Sequence, residues 1–363
     1  MAAGDKTPLK FSGAPERYPW HDALWSTLAR HFEQLPHALL LQGRPGLGKH
    51  DFAVQLAQAL LCQQPRDGIA CGKCNGCHLF AAGTHPDFHV LQPETFTESR
   101  PDLCSLYAVR YPASDKKRER PSADITIFQI RSLNEDIQIR PYIAGRRVVI
   151  LSPADAMNIN AANSLLKLLE EPPLGSMLLL VTSHPARLPA TIRSRCARLL
   201  FRLPAPAIGQ GWLQARAGSG DDPALLLGLA GGAPLLAESL AQEEFPATRA
   251  QLLQDMAALA RGREHPVACA ARWKALGSAR TLGWLHGFAS DQIKICLGAP
   301  ASTLLNPELA ASGAAEKNKY KISQLYDFID AILEKYRQLD SPLDELLLLE
   351  DILIRWVRLS RLQ

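Results

Sequence analysis

The chain has 363 residues, of which 47% are hydrophobic and 21% are charged, as is usual for globular proteins. This length is enough for two or three domains, each with its own core. The formal net charge of +4 is too small to indicate nucleic-acid binding by itself. The first residues lack an apolar signal sequence, and no apolar run is long enough to cross a bilayer. We therefore expect a cytoplasmic protein with reduced thiols and no membrane contact.

The first half of the chain alternates short apolar runs with helical patterns. Residues 24–34 carry apolar side chains at helical spacing and predict an amphipathic helix. Another helix is expected from Lys49 onward, and a third over 161–170, which the following prolines end. The short apolar runs are typical of buried parallel strands and cover residues 38–41, 148–151 and 178–181. This alternation predicts an α/β layer built on a parallel sheet.

The sequence beyond Pro204 carries no strand pattern. Glycine and alanine are frequent up to about residue 235, and the pattern is helical from about residue 250 to the end. We therefore predict an α/β domain over 1–204, a small helical unit over 205–250 and an all-α domain over 251–363.

The segment 112–122 is polar and predicts a surface loop. Two interpretations of its basic residues remain open: contact with DNA, or simple solvation. The interleaved acids Asp115 and Glu119 favour a solvated insertion.

A loop with the pattern of a phosphate-binding loop follows the first predicted strand. Residues 43–50 read Gly-Arg-Pro-Gly-Leu-Gly-Lys-His and match G-x-x-x-x-G-K. In such a loop backbone N–H groups surround a phosphate and the lysine reaches its outer oxygens. Gly43, Gly48 and Lys49 are therefore candidate phosphate-binding residues. His50 stands where a serine or threonine would ligate magnesium, and an imidazole is a poor magnesium ligand.

The acid that a phosphate-loop ATPase needs at the end of a second strand is also missing. Residues 148–151 are followed by Ser152 and Pro153, and the next carboxylate is Asp155. Asp155 either caps the following helix or approaches the metal site, and we prefer the capping interpretation. We therefore expect no intrinsic ATPase activity and weak or absent ATP binding.

Four cysteines occur within sixteen residues: Cys62, Cys71, Cys74 and Cys77. Cysteine pairs two residues apart and a set of four thiolates are typical of a structural zinc site. Residues 74–78 also match the C-x-x-C-H pattern of haem attachment, which requires an exported protein. A redox pair is the other alternative, and it leaves two thiols unexplained. We favour structural zinc.

Three further segments resemble the clamp-loader branch of the AAA+ ATPases. They read Leu-Leu-Lys-Leu-Leu-Glu-Glu-Pro-Pro at 165–173, Thr-Ser-His-Pro at 182–185 and Ser-Arg-Cys at 194–196. The resemblance implies a RecA-like AAA+ domain over 1–204 with a zinc module at 62–77. It further implies a helical lid over 205–250 and a C-terminal collar domain over 251–363.

The resemblance also implies a role for Arg195, which matches the arginine finger of the family. Such an arginine acts in trans on the γ-phosphate bound by a neighbouring subunit, and the alternative is an ordinary surface arginine. The stretch 231–235 lacks the lid arginine of the hydrolysing relatives. The pattern resembles a subunit that serves a neighbour's active site and does not run its own.

The function implied is loading of a sliding clamp onto primer-template DNA, as part of a DNA polymerase holoenzyme. The expected partners are ATPase subunits and a clamp-opening subunit in a hetero-oligomeric ring. One alternative is an ATP-hydrolysing clamp-loader subunit, which would require Ser or Thr at position 50 and Asp-Glu at 152–153. The other is a zinc-dependent nucleic-acid-binding protein on a decayed phosphate-loop fold.

Overall fold

A computed structural model describes residues 16–99, 109–114, 120–143, 145–216, 222–242, 245–306, 308–312, 320–339 and 343–361. The chain divides into two compact units, Met1–Ile208 and Gly209–Gln363. The first contains a parallel sheet with helices, and the described residues of the second form helices and their connections.

The sheet of the first unit has six parallel strands in the order β3-β2-β4-β5-β1-β6. The strands are β1 (Ala38–Gly43), β2 (Phe88–Leu91), β3 (Val109–Arg110), β4 (Arg147–Leu151), β5 (Ser176–Thr182) and β6 (Ala197–Phe201). Strands β4 and β5 are buried along their whole length, and the edge strand β6 is largely exposed. The three predicted strands are confirmed, while β2, β3 and β6 were not predicted.

Eight α-helices belong to this part of the described chain or begin in it. They are α1 (Asp22–Arg30), α2 (Lys49–Leu61), α3 (Asn75–Ala81), α4 (Glu94–Ser99), α5 (Ile127–Asp136), α6 (Ile159–Glu170), α7 (Ala190–Arg193) and α8 (Pro206–Gln214). The predicted helix over 24–34 ends as an α-helix at Arg30, and a 3-10 turn follows at Phe32–Gln34. The helices expected from Lys49 and over 161–170 are α2 and α6.

Helices α5, α6 and α7 cover one face of the sheet. Alternate strand residues point to this face because successive side chains of a strand alternate between its faces. They pack with the buried helix side chains in one apolar cluster, which includes Leu40, Val149, Leu178, Leu133 and Leu165. Helix α2 contacts β1, β4 and β5 and contributes no residue to this cluster. We infer that α2 covers the other face, below the phosphate loop.

A buried ion pair lies at the end of the sheet where β4 begins. Arg147 Nη2 lies 3.5 Å from Asp87 Oδ1, and both side chains are almost completely buried. The Asp87 carboxylate also accepts the backbone N–H groups of Tyr142 and Ile143. Arg147 Nη1 donates to the carbonyl of Ile139 at 3.0 Å. The pair therefore fixes the loop before β4, because a buried charge needs its partners.

The two ends of the predicted polar loop at 112–122 are held by one side chain. Glu94 accepts the backbone N–H of Ala113 at 3.0 Å and that of Ser122 at 2.8 Å. Residues 115–119, with Lys116, Lys117 and Arg118, lie outside the described residues. The choice between DNA contact and a solvated insertion therefore stays open.

The described helices of the second unit are mostly longer than those of the first. They are α9 (Pro223–Leu229), α10 (Pro234–Gln242), α11 (Phe245–Ala260), α12 (Pro266–Ala275), α13 (Ser278–Cys296), α14 (Glu308–Ser312), α15 (Ile322–Gln338) and α16 (Glu345–Arg361). Trp356 lies in their core, where its Nε1 donates to the carbonyl of Met256 at 3.2 Å and its ring contacts Phe288. Helix α11 runs through the predicted boundary at 250/251, and the three-domain division stays a prediction.

Within the described residues, no single helix is both long and apolar enough to span a membrane. Helices α9 and α10 satisfy length and composition only when they are taken together across a bend of 108°.

Candidate functional site

The predicted phosphate loop connects β1 to α2 and depends on glycine at two positions. Gly48 is the N-cap of α2 with a φ of 72°, a conformation that favours glycine. A Cβ at Gly48 would lie 2.4 Å from the ring of Tyr18, and one at Gly43 would lie 2.6 Å from the carbonyl oxygen of Phe201. The loop is therefore closely packed on both sides.

Lys49 is buried at the start of α2 and makes its hydrogen bonds to neutral acceptors. Its Nζ donates to the carbonyl of Arg44 at 2.7 Å and to Ser183 Oγ at 3.0 Å. Burial lowers the pKa of Lys49 to about 8, and the charge of Asp155 acts in the opposite direction. Lys49 therefore joins the loop to the end of β5.

The side chains at the two positions that would ligate magnesium, His50 and Ser152, are hydrogen-bonded to each other. His50 Nδ1 lies 2.8 Å from Ser152 Oγ. His50 is in the first turn of α2, and Ser152 directly follows β4. His50 lacks the hydroxyl, and Ser152 lacks the carboxylate, that would ligate magnesium at these two positions in this fold.

The preferred interpretation of Asp155 as a helix cap is wrong. The side chain of Asn158 caps α6 by accepting the backbone N–H of Ala161 at 2.9 Å. Asp155 lies in a 3-10 turn and accepts a hydrogen bond from Thr182 Oγ1, while its other oxygen pairs with His184 Nδ1 at 3.3 Å. The turn after β4 places this carboxylate beside the end of β5, because the two strands are neighbours.

An aromatic segment before α1 packs against the phosphate loop and was missed from the sequence. Trp20 Nε1 donates to the carbonyl of Leu47 at 3.0 Å, and His21 Nε2 donates to the same oxygen at 2.7 Å. Tyr18 stacks on Trp20 with 4.9 Å between ring centroids, and its hydroxyl donates to Asp51 at 2.8 Å. Burial lowers the pKa of His21 to about 4. Three aromatic rings within four residues were the available signal.

The four cysteines come together as the sequence predicts. All four Sγ atoms lie within 4.8 Å of one another. The Sγ atoms of Cys62 and Cys74 are 3.8 Å apart, and those of Cys71 and Cys77 are 4.0 Å apart. Tetrahedral zinc with Zn–S bonds of about 2.3 Å requires sulfur atoms about 3.8 Å apart. The geometry therefore fits one zinc ion held by four thiolates.

Backbone N–H groups point at these sulfur atoms. Cys62 Sγ accepts the N–H of Cys71 at 3.2 Å, and Cys74 Sγ accepts the N–H of Cys77 at 3.4 Å. A backbone hydrogen bond from Lys73 lowers the pKa of Cys71 to about 6, whereas burial raises the pKa of Cys77. A bound cation would compensate the cost of charging the buried thiol.

Cys62 is the C-cap of α2 and Cys74 is the N-cap of α3, so the cluster joins two helices. Gly76 lies where they meet, and a Cβ there would be 2.5 Å from the carbonyl oxygen of Leu61. This close approach supports a structural role for a bound ion.

Arg195 lies near the amino ends of β6 and β1, whereas the phosphate loop follows the carboxyl end of β1. It precedes the amino end of β6, whose first residue, Ala197, pairs with Leu39. The loop begins at the carboxyl end of β1, where Gly43 pairs with Phe201. The four residue steps from one pair to the other span about 13 Å of strand. Arg195 is therefore not brought to the phosphate loop of its own chain.

The side chain of Arg195 is held within its own chain. Its Nη1 donates to the carbonyl of Thr191 at 3.0 Å, and its Nη2 pairs with Glu170 Oε1 at 2.6 Å. The next residue, Cys196, is buried in the apolar cluster below α6 and α7, and burial raises the pKa of its thiol to about 11. Cys196 therefore anchors the backbone beside an accessible guanidinium.

Two families match the chain. The family described as "DNA polymerase III, delta subunit" matches residues 20–205. The family described as "DNA polymerase III, delta subunit, C terminal" matches residues 243–358. The two matches cover both the α/β part and most of the helical part.

Curated relatives are similar over nearly the whole chain. The DNA polymerase III subunit delta-prime of Pseudomonas aeruginosa is 34% identical over 94% of this chain and 98% of its own length. The subunit delta-prime of Escherichia coli K12 is 30% identical over 93% of this chain and 94% of its own length. The subunit tau/gamma of Haemophilus influenzae is 28% identical, over 47% of this chain and 21% of its own length. The chain belongs to the family of DNA polymerase III delta-prime subunits.

Proposed function

We propose that this chain is a clamp-loader subunit that does not hydrolyse ATP and that serves the active site of a neighbouring ATPase subunit. It works in a hetero-oligomeric ring with tau/gamma-type ATPase subunits and a clamp-opening subunit. The ring opens a sliding clamp and loads it onto primer-template DNA. The observation that carries the proposal is the direct hydrogen bond between His50 and Ser152.

The absence of hydrolysis follows from the chemistry of these positions. Phosphoryl transfer in this fold needs magnesium on the β- and γ-phosphates and a carboxylate that positions it. The imidazole at position 50 and the hydroxyl at position 152 satisfy each other and provide neither. Lys49 Nζ donates to Arg44 and Ser183, and a phosphate would compete with these two acceptors for its three N–H donors. ATP binding is therefore weak or absent.

The trans role of Arg195 is supported by its position. The Arg195 side chain is 37% exposed, and the register of β6 on β1 separates it from its own phosphate loop. A guanidinium directed at a γ-phosphate stabilises the charge that develops there and is worth about 10³ to 10⁵ in rate when it is the sole finger. In a ring with several active sites, only the ATPase activity of the adjoining subunit depends on Arg195, so its loss lowers part of the total rate.

The decisive experiment uses a reconstituted clamp-loader complex that carries Arg195→Ala in this subunit alone. We expect normal assembly, a lower clamp- and DNA-stimulated ATPase rate and slower clamp loading. Arg195→Lys rescues poorly because an ammonium lacks the planar fork of donors. Arg198→Ala, an exposed arginine three residues away, is the matched control and leaves both rates unchanged. Wild-type rates for the Arg195→Ala complex would contradict the proposal.

A second measurement tests the isolated chain. Purified protein is expected to show no steady ATP turnover above a blank with magnesium present. Turnover that Lys49→Ala abolishes would identify an intact active site and would favour the ATP-hydrolysing alternative.

A further inference from the structure

The contacts of Arg195 in the isolated chain include an acid from a different element. Glu170 is the last residue of α6, and its Oε1 lies 2.6 Å from Arg195 Nη2. The two side chains are 50% and 37% exposed. The cation that we assign to a neighbour's phosphate is therefore already paired with a carboxylate, at an accessible position.

Both members of this pair sit on rigid supports. Leu168 and Leu169, next to Glu170, are buried in the same apolar cluster that holds Cys196. The carbonyl of Thr191 in α7 fixes Nη1 of Arg195 independently of Glu170. The pairing therefore results from fixed backbone positions and orients the guanidinium from two sides.

We infer that Glu170 is a positioning residue that holds Arg195 until a neighbouring subunit presents a nucleotide, whereupon the γ-phosphate replaces the carboxylate at Nη2. This inference rests on the proposed trans role of Arg195. Because Thr191 retains Nη1, the arginine exchanges one partner and keeps the other. Glu170 thus competes with bound nucleotide for the same cation.

The exchange is favourable because the two anions differ in strength. An ion pair between half-exposed side chains contributes little to stability and is readily broken. A γ-phosphate carries more charge and offers several oxygen acceptors in the geometry that a guanidinium matches. The carboxylate therefore neutralises the arginine before assembly. A correctly docked nucleotide displaces it, because the γ-phosphate binds the guanidinium more strongly.

The first test uses the isolated chain and does not depend on the proposed function. Modification of Arg195 by phenylglyoxal, followed by mass spectrometry, reports how freely its guanidinium reacts. We expect Glu170→Gln to label about twofold or more faster than wild type, since the ion pair is lost. Glu171→Gln removes the same charge from the adjacent exposed residue and is the matched control with wild-type labelling. Equal labelling rates for Glu170→Gln and wild type would overturn the inference.

The second test measures ATPase rate against ATP concentration in the reconstituted complex. We expect Glu170→Gln to lower the half-saturating ATP concentration by up to about fivefold, equivalent to about 1 kcal/mol, with an unchanged maximal rate. Glu171→Gln has no effect on either quantity. In an Arg195→Ala background Glu170→Gln also has no effect, because no cation remains to be released.

Failure of the inference differs from failure of the proposed function. If Arg195→Ala alone leaves the complex at wild-type rates, the trans role fails. If Arg195→Ala impairs the complex but Glu170→Gln leaves the half-saturating ATP concentration unchanged or raises it, only the role of Glu170 is overturned. A shift that persists in the Arg195→Ala background overturns it as well.

Discussion

His50 Nδ1 and Ser152 Oγ lie 2.8 Å apart and join the first turn of α2 to the end of β4. In a hydrolysing relative of this fold, a magnesium ion and its ligands bridge these two elements. Here a direct hydrogen bond makes the same connection. This hydrogen bond ties the helix that follows the phosphate loop to the end of β4.

Magnesium is expected to have no effect on nucleotide binding by the wild-type chain. The double variant His50→Thr and Ser152→Asp supplies a hydroxyl and a carboxylate. Magnesium should then strengthen ATP binding at least about tenfold, or about 1.4 kcal/mol. Each single variant supplies only one ligand, and its ATP binding should remain insensitive to magnesium. A fluorescent ATP analogue titrated with magnesium and with EDTA measures this, and magnesium-dependent binding by wild type would argue against a lost metal site.

The cysteine cluster is expected to bind about one zinc ion per chain. Cys74→Ser removes one ligand and should lose most of the metal and lower the free energy of unfolding by several kcal/mol. Cys296→Ser changes a thiol of the second unit and serves as the control with full zinc content. Elemental analysis and chemical denaturation measure the two effects. Metal-free wild-type protein with all eight thiols freely titratable would rule out the site.

Breaking the buried ion pair between Asp87 and Arg147 is expected to destabilise the fold strongly, because the remaining charge would be buried without its partner. Asp87→Asn leaves Arg147 buried without its counter-ion and should lower the free energy of unfolding by about 3–5 kcal/mol. Glu33→Gln breaks the exposed pair with Arg146, whose atoms are 2.7 Å apart, and should cost less than about 1 kcal/mol. Urea denaturation of both variants gives the comparison, and similar losses would refute the assigned difference.

Acid should destabilise the chain through His21. Its pKa is lowered from 6.5 to about 4 by burial, so the unfolded state binds the proton first as the pH falls. The contribution is therefore fully present above pH 6.5 and is lost between pH 6.5 and 4, by about 3 kcal/mol. His21→Gln keeps a donor for Leu47 and should flatten the stability curve in this range. His31→Gln, at an exposed position, should leave the pH dependence of stability unchanged. A wild-type curve for His21→Gln would exclude His21 as the cause of the acid destabilisation.

Local chemistry explains which parts of the fold the sequence predicted. The runs that became β1, β4 and β5 are continuously apolar because both of their faces are covered. The exposed edge strand β6 lacks that pattern and was missed. Asp155 was misassigned because a cap is a local expectation, whereas its actual partners Thr182 and His184 lie beyond the next helix.

The sequence alone determined the chemical identity of the sites. The phosphate loop, the missing hydroxyl and acid, and the four cysteines are all read from residue type and short spacing. The tertiary structure decided what these residues contact. His50 meets Ser152 across 102 residues, and Lys49 meets Ser183 across 134. The parallel register of β6 on β1 separates Arg195 from the phosphate loop, and Arg195 pairs with Glu170. Such partners depend on chain packing, which no local pattern encodes.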